Sequence, residues 1–259
     1  MLDPRPRDRS LRTPALILKR RDFGEADRLL TILTPQHGKL DVIAKGARKL
    51  TSTKTGHVEL YTRADMLVHR GRELNICVQA EMTAPFLPLR EDLTRGAYAG
   101  YCVELLDRLI AEGDGETAQA FTLLNDTFVR LCLEADLRLV VRFYELRLLD
   151  LVGYRPELMQ CIVDHEPLLP EDQFFSRAQG GVVCPRHASQ AGALTPISVD
   201  TLKLLRHLQR SGWRQIEKLK IPPSVHGEAE RILLSYVTHL IERRLQSVEF
   251  VQRVRELTL

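Results

Sequence analysis

The chain has 259 residues, 44% of them hydrophobic and 27% charged, which is enough to bury a core and ordinary for a globular protein. Its formal charge is only +3, but residues 1–90 carry 17 Lys and Arg against 10 Asp and Glu, leaving 20 against 24 for the remainder. A basic front joined to a mildly acidic rest places polyanion binding at the front. No apolar run approaches the roughly eighteen residues of a membrane span, no apolar core follows the N-terminal arginines as in a signal peptide, and five scattered cysteines make no disulfide framework. A cytoplasmic protein, associated with the nucleoid if it binds DNA, is expected.

Residues 1–13 are polar and hold Pro4, Pro6, Arg5, Arg7, Arg9 and Arg12, the composition of a flexible basic arm. From Pro14 to Pro85 short β-rich runs alternate with turn residues. Strands are predicted at residues 15–21, 29–34, 39–44, 58–69 and 74–81. Five short strands without a helical period point to a small barrel, with the oligonucleotide-binding (OB) fold as the natural candidate. An SH3-like barrel or an edge-paired sheet has nearly the same strand count.

Between the third and fourth predicted strands lies the stretch from Lys45 to Gly56, with Lys45, Arg48, Lys49 and Lys54 and no acid. Gly46, Ala47, Thr51, Ser52, Thr53 and Thr55 let a sugar–phosphate chain approach closely. Such a loop suits contact with phosphates irrespective of sequence, although a solvated hairpin tip has the same composition. Lys19, Arg20, Arg21 and Arg28, then Lys39, then Arg70 and Arg72 fall at other strand ends and turns. If these converge in space, they form one positive surface with the loop. Aromatic residues are scarce here (Phe23, Tyr61 and Phe86), which favours backbone contact over base readout. Tyr61 and Phe86 are expected in the barrel core.

After Pro88 the period becomes helical. Helices are predicted at 93–111, 116–134 and 137–151, the last nearly apolar all round and so the centre of a bundle. After Ile197 come a helix capped by Ser198 and running to about Arg210, a linker at Ile221-Pro222-Pro223, and a final helix at about 227–254. Trp213 is expected at a buried joint between helices.

The segment 157–196 has a different texture, rich in proline and turns. It holds Cys161, Asp164, His165, Cys184 and His187. Two cysteines, each followed three or four residues later by another ligand type, have the spacing of two knuckles that close a tetrahedral zinc site. The fourth ligand is either Asp164 or His165. A degenerate knuckle without metal fits the spacing equally. No phosphate-binding loop, dinucleotide fingerprint or nucleophile elbow occurs, so enzymatic chemistry is not expected.

Three stretches together resemble the bacterial RecO recombination-mediator family. They are Gly38-Lys39 with Ala44-Lys45-Gly46-Ala47-Arg48-Lys49; Leu148 to Val152 with Gly153-Tyr154-Arg155-Pro156-Glu157-Leu158 leading into Cys161; and Phe175-Ser176 with Gly180-Gly181-Val182-Val183-Cys184. The resemblance implies an N-terminal OB-fold, a helical domain and, in many members, a zinc-binding insertion. It implies binding of single- and double-stranded DNA, annealing of complementary strands, and loading of RecA, with RecR, onto DNA coated by single-strand-binding protein (SSB), whose tail is a further partner. Where four-cysteine members carry Cys, this chain has Asp164, His165 and His187. The fold expected is thus α+β and multidomain: a five-stranded OB-fold barrel over 14–85, a helical domain over 86–156 and 197–259, and a small zinc-ribbon-like insertion over 157–196. An RNA-binding barrel and a scaffold for acidic protein tails are the rival readings.

Overall fold

The run Ala15-Leu16-Ile17-Leu18 is apolar on both faces of a strand, so it needs two cores to bury it. The computed structural model, which describes residues 10–49, 52, 54–110, 116–242 and 245–258, supplies both. Strand β1 (Ser10–Phe23) pairs antiparallel with β4 (Arg63–His69) along its first half and with β2 (Asp27–Thr34) along its second. β2 pairs with β3 (Gly38–Ala44), which runs parallel to the start of β5 (Asn75–Ala84), and β5 returns antiparallel to β4. The result is a closed barrel in the order β1-β2-β3-β5-β4, an OB-like arrangement rather than an open sheet. Ala15 and Ile17 point into it, alongside Leu30, Ile32, Val42, Met66 and Val68. Leu16 and Leu18 point out and join Leu33 in a second core made with the helices.

Two boundaries differ from the sequence expectation. Residues 10–13, assigned to the arm, belong to β1 and pair with β4 from His69 inward; residues 1–9 lie outside the described residues. The strand expected from Val58 begins only at Arg63. Residues 55–57 form a 3-10 turn, and Tyr61 takes a left-handed backbone (φ 60) that ends any extended run. The segment instead serves β1: Tyr61 N donates to Ile17 O and Ile17 N to Thr62 O, both at 3.0 Å, beside the bulge at Leu18.

The helices follow as α1 (Pro88–Glu91), α2 (Leu93–Leu109), α3 (Thr117–Leu133) and α4 (Leu137–Leu151). Asp92 caps α2 by accepting from Arg95 N at 3.0 Å, and Asp136 caps α4 by accepting from Leu139 N at 2.9 Å. α4 has the predicted ends and is buried over most of its length, as an all-round apolar helix must be. The segment 157–196 contains β6 (Gln173–Ser176), β7 (Gly181–Val183) and β8 (Leu194–Ile197), a small sheet in the order β7-β6-β8. Then come α5 (Val199–Arg210), capped by Ser198 as expected, α6 (Trp213–Ile216), α7 (Pro223–Ile241) and α8 (Gln246–Thr258). The single final helix expected from the sequence is therefore two. Pro223 opens α7 instead of ending a linker, because its missing N–H is unneeded at a first helical position. Glu242, left-handed at φ 54, ends it. Trp213 sits half-buried at the joint, edge-on to Phe143 with ring centres 5.4 Å apart.

Tyr61 and Phe86 are not barrel core. Both rings pack edge-on to Phe128 of α3, at 5.6 Å each, and fasten the barrel to the helices. Asp107 near the end of α2 adds a polar clamp, taking Lys19 Nζ at 2.6 Å and Lys39 Nζ at 3.2 Å. Lys39 also donates to Asp107 O at 2.9 Å, serving a carbonyl in the last turn of α2.

Inside the bundle, Glu145 is fully buried; its Oε1 accepts from Tyr101 Oη at 2.5 Å and from Arg142 Nη2 at 2.8 Å. Burial raises this carboxyl from its ordinary value to about 7, although Arg142 and Tyr101 pull the other way. An acid whose folded pKa is raised contributes most to stability when protonated. That contribution is complete below the unfolded value of 4.5 and is lost as pH climbs to about 7. Glu145→Gln should therefore gain on the wild type by roughly 3 kcal/mol between pH 4.5 and pH 7, read from urea melts across that range. A difference that stays constant with pH would remove Glu145 from the titration.

Candidate nucleic-acid interface and metal cluster

The basic loop folds over the β1–β2 turn. Arg48 N donates to Ala26 O at 2.9 Å, Gly46 N donates to Asp27 Oδ1 at 2.8 Å, and Thr55 Oγ1 donates to Ala47 O at 2.9 Å. Gly46 holds φ +67, a left-handed turn that admits glycine most easily. The hydroxyl of Ser52 accepts from Lys54 N at 3.2 Å, so Ser52 and Thr55 brace the loop from within. Thr51 and Thr53 lie outside the described residues.

The predicted cations divide into three groups. Lys19 and Lys39 are turned to the helices and share Asp107; Lys39 keeps only 12% of its side chain exposed. Burial alone would raise the Asp107 carboxyl, but the two ammonium groups outweigh it and hold the pKa below the ordinary carboxylate value. Arg20 and Arg28 both bind Glu59, the latter at 2.9 Å. These four cations already have counterions.

The second group is at the loop. Arg21, Lys45 and Lys49 are exposed and form no ion pair within 4.0 Å among the described residues. Arg48 is exposed and touches Asp22 loosely, at 3.5 Å. Lys54 directs its ammonium at Lys45 O, 3.4 Å away. Arg70 and Arg72, the third group, lie in the β4–β5 turn, and Arg70 donates to His37 Nδ1 at 3.4 Å. His37 precedes β3 while the basic loop follows it, so the seven residues of β3, about 20 Å, separate the two positions. The cations thus make a compact group around the loop, a separate pair near the β2–β3 turn, and a set committed to the fold itself.

Sequence reasoning missed the counterions. Glu59 is the only acid between Asp41 and Asp65, a signal that it would be contested. Asp107 gives no local signal. Arg90, not singled out before, donates to Leu60 O, Thr62 Oγ1 and Pro85 O at 2.8–3.2 Å and holds the barrel–helix connection together.

The second cluster lies in the segment 157–196. His165 N donates to Cys161 O at 2.8 Å and His187 N to Cys184 O at 3.0 Å, so each cysteine opens a tight turn that returns a second side chain beside it. Cys161, Asp164, Cys184 and His187 each bring one ligand atom within 4.8 Å of the others. His187 Nδ1 stands 3.2 Å from Cys184 Sγ, 3.9 Å from Cys161 Sγ and 3.4 Å from Asp164 Oδ2. The edges of a tetrahedron with bonds of about 2.0–2.3 Å are roughly 3.3–3.8 Å, so the four groups fit a closed four-coordinate ion. His165 takes φ 60 and is exposed, outside the group. Between the two alternatives, Asp164 is the residue brought to the cluster. Arg186 Nη2 lies 3.5 Å from its carboxylate.

No described helix is long and apolar enough to cross a membrane. Comparison with known proteins covers most of the chain. Residues 9–86 match the family model of the recombination protein O N terminus, and residues 90–249 that of its C terminus. A DNA repair protein RecO from Roseiflexus sp. is 41% identical over 251 residues, covering 97% of this chain and 88% of its own. The protein of that name from Pelotomaculum thermopropionicum is 35% identical, covering 92% of each chain, and that from Desulforamulus reducens 32% identical, covering 93% of each. The chain belongs to the RecO family of DNA repair proteins.

Proposed function

We propose that the chain binds single- and double-stranded DNA through the loop end of its barrel, anneals complementary strands and, with RecR, helps RecA onto SSB-coated DNA without catalysing a reaction itself. The observation that carries this is the sorting of the cations. Arg21, Lys45, Arg48, Lys49 and Lys54 gather where the basic loop meets the β1–β2 turn, with only the Arg48–Asp22 contact to an acid among the described residues, while Lys19, Arg20, Arg28 and Lys39 are neutralised. Free cations exchange the counterions of a phosphate chain for themselves and gain the entropy of release. Two strands that share such a patch repel each other less and can pair. Arg70 and Arg72 extend the interface only for a nucleic acid long enough to span β3. The experiment is the annealing of complementary oligonucleotides, bare and SSB-coated. Acceleration that disappears at high salt supports the reading; no binding of either strand form at low salt overturns it.

An acidic SSB tail as partner is supported by a groove of about 490 Å³ between α3 and α4, with Leu123, Phe143 and Leu151 along it and Arg130 and Arg147 beside them. Asp126 also lines it and lies 3.6 Å from Arg130, which leaves Arg147 as the cation for an acidic group. Both guanidinium groups stack over the Phe143 ring, at 5.3 Å and 4.9 Å. Apolar anchoring flanked by cations fits a peptide that carries both kinds of group.

In the small sheet segment, Cys161, Asp164, Cys184 and His187 would hold a structural zinc ion, which supplies a cross-link between two turns and leaves no open position for chemistry. About one equivalent per chain is expected by elemental analysis, falling in Cys184→Ser and removed by a strong chelator with a drop in melting temperature. Less than about a tenth of an equivalent in chelator-free protein would leave a metal-free knuckle.

A further inference from the structure

We propose that Phe23 is a base-stacking residue, and that it makes the loop end of the barrel prefer unpaired strands to duplex. The inference rests on the DNA-binding reading above and adds a chemical preference that cations alone do not supply.

Phe23 is the last residue of β1 and is 43% exposed. The other aromatic residues of the front segment are withdrawn: Tyr61 and Phe86 are both packed on Phe128. The register from Lys19↔Thr31 through Phe23↔Asp27 is unbroken, so Lys19, Arg21 and Phe23 alternate onto one strand face. Phe23 pairs with Asp27, whose carboxylate anchors Gly46 and so fixes where the basic loop starts. On the other flank, Gly24 follows with φ +57 and no neighbour within 4 Å of an added Cβ, so the turn leaves open space beside the ring. Arg48 reaches the same turn, donating to Gly24 O at 3.4 Å.

A buried aromatic ring normally repays its hydration cost, and an exposed one at a strand end, with Arg21, Asp22 and Gly24 for neighbours, does not. Its surroundings do suit a nucleotide. The Asp27–Gly46 and Arg48–Gly24 contacts bring the cationic loop to the turn that carries the ring, so a base attached to a phosphate held there is within reach of it, and every base has a face that stacks. In a duplex the faces are already stacked on each other, so the ring adds nothing there. Phosphate contacts then set the affinity for any nucleic acid, and Phe23 sets the difference between strand forms.

The test is binding of oligo(dT) and of a mixed-sequence duplex by wild type, Phe23→Ala and Phe23→Trp, each across a salt series. Phe23→Ala should bind oligo(dT) roughly tenfold more weakly, the scale of one stacked base, by the same factor at every salt concentration. Its log–log salt slope and its duplex affinity should match wild type, and Phe23→Trp should restore the affinity. Because the side chain is exposed, an unchanged melting temperature will show that the fold is intact. Undiminished oligo(dT) affinity in Phe23→Ala would overturn the inference while leaving the cation site standing. Equal weakening on both strand forms, or an altered slope, would also overturn it, since the ring would then be a prop for the loop. Failure of the wild type to bind either nucleic acid would instead strike the reading beneath it.

Discussion

Replacing Lys45, Arg48, Lys49 and Lys54 together by alanine should reduce the log–log salt slope of single-strand binding by nearly three units, about 0.7 for each phosphate no longer neutralised. Read at 0.1 M salt, the same slope change weakens binding by several hundredfold. The four side chains stand out from one loop braced by its own backbone and by Thr55, so their removal leaves the barrel core untouched. The matching substitution of Lys19 and Lys39 should leave the slope alone, because both ammonium groups already face Asp107. It should cost stability instead, since Lys39 is largely buried and Asp107 would be left without either partner. The pair of variants separates cations proposed to meet DNA from cations that hold the fold.

Phe128→Ala should destabilise the whole chain by about 3–5 kcal/mol, and lower its melting temperature by roughly ten degrees. Phe128 is fully buried and both the Tyr61 and Phe86 rings pack edge-on against it, so its truncation leaves a cavity under two rings at once. The core it belongs to runs from Leu16, Leu18 and Leu33 of the barrel into α2, α3 and α4. Barrel and bundle should therefore melt in one transition in both wild type and variant. A second, barrel-only transition in the variant would mean that the shared core is not what joins them.

How much of this was legible in the sequence follows from the range of each interaction. Local signals read well: the ends of α4, the Ser198 cap and the apolar run in β1 are decided by residues within a turn of one another. The split of the final helix has no local signal, because it falls at Glu242, a non-glycine residue in a left-handed turn. The start of α7 is ambiguous because Pro222-Pro223 reads equally as a linker and as a helix start. The side of the barrel on which each cation falls could not be read at all. Glu59 meets Arg20 and Arg28 across 39 and 31 residues, and Asp107 meets Lys19 and Lys39 across 88 and 68. Composition counts such cations as free. In the cysteine-bearing segment the spacing admits Asp164 and His165 alike, and only the fold tells them apart: Asp164 comes within 3.4 Å of His187 while His165, at positive φ, is exposed.

If the cations at the loop end, and not the basic front as a whole, receive the phosphate chain, DNA should shield those side chains selectively. Lysine acetylation read by mass spectrometry, with and without saturating single-stranded DNA, measures this residue by residue. Lys45, Lys49 and Lys54 are expected to be protected by DNA, while Lys19 and Lys39 react at the same rate in both states. Protection of Lys203, Lys218 or Lys220 in the helical half with none at the loop, or no protection anywhere at full occupancy, would mean that the strand does not lie on the loop end.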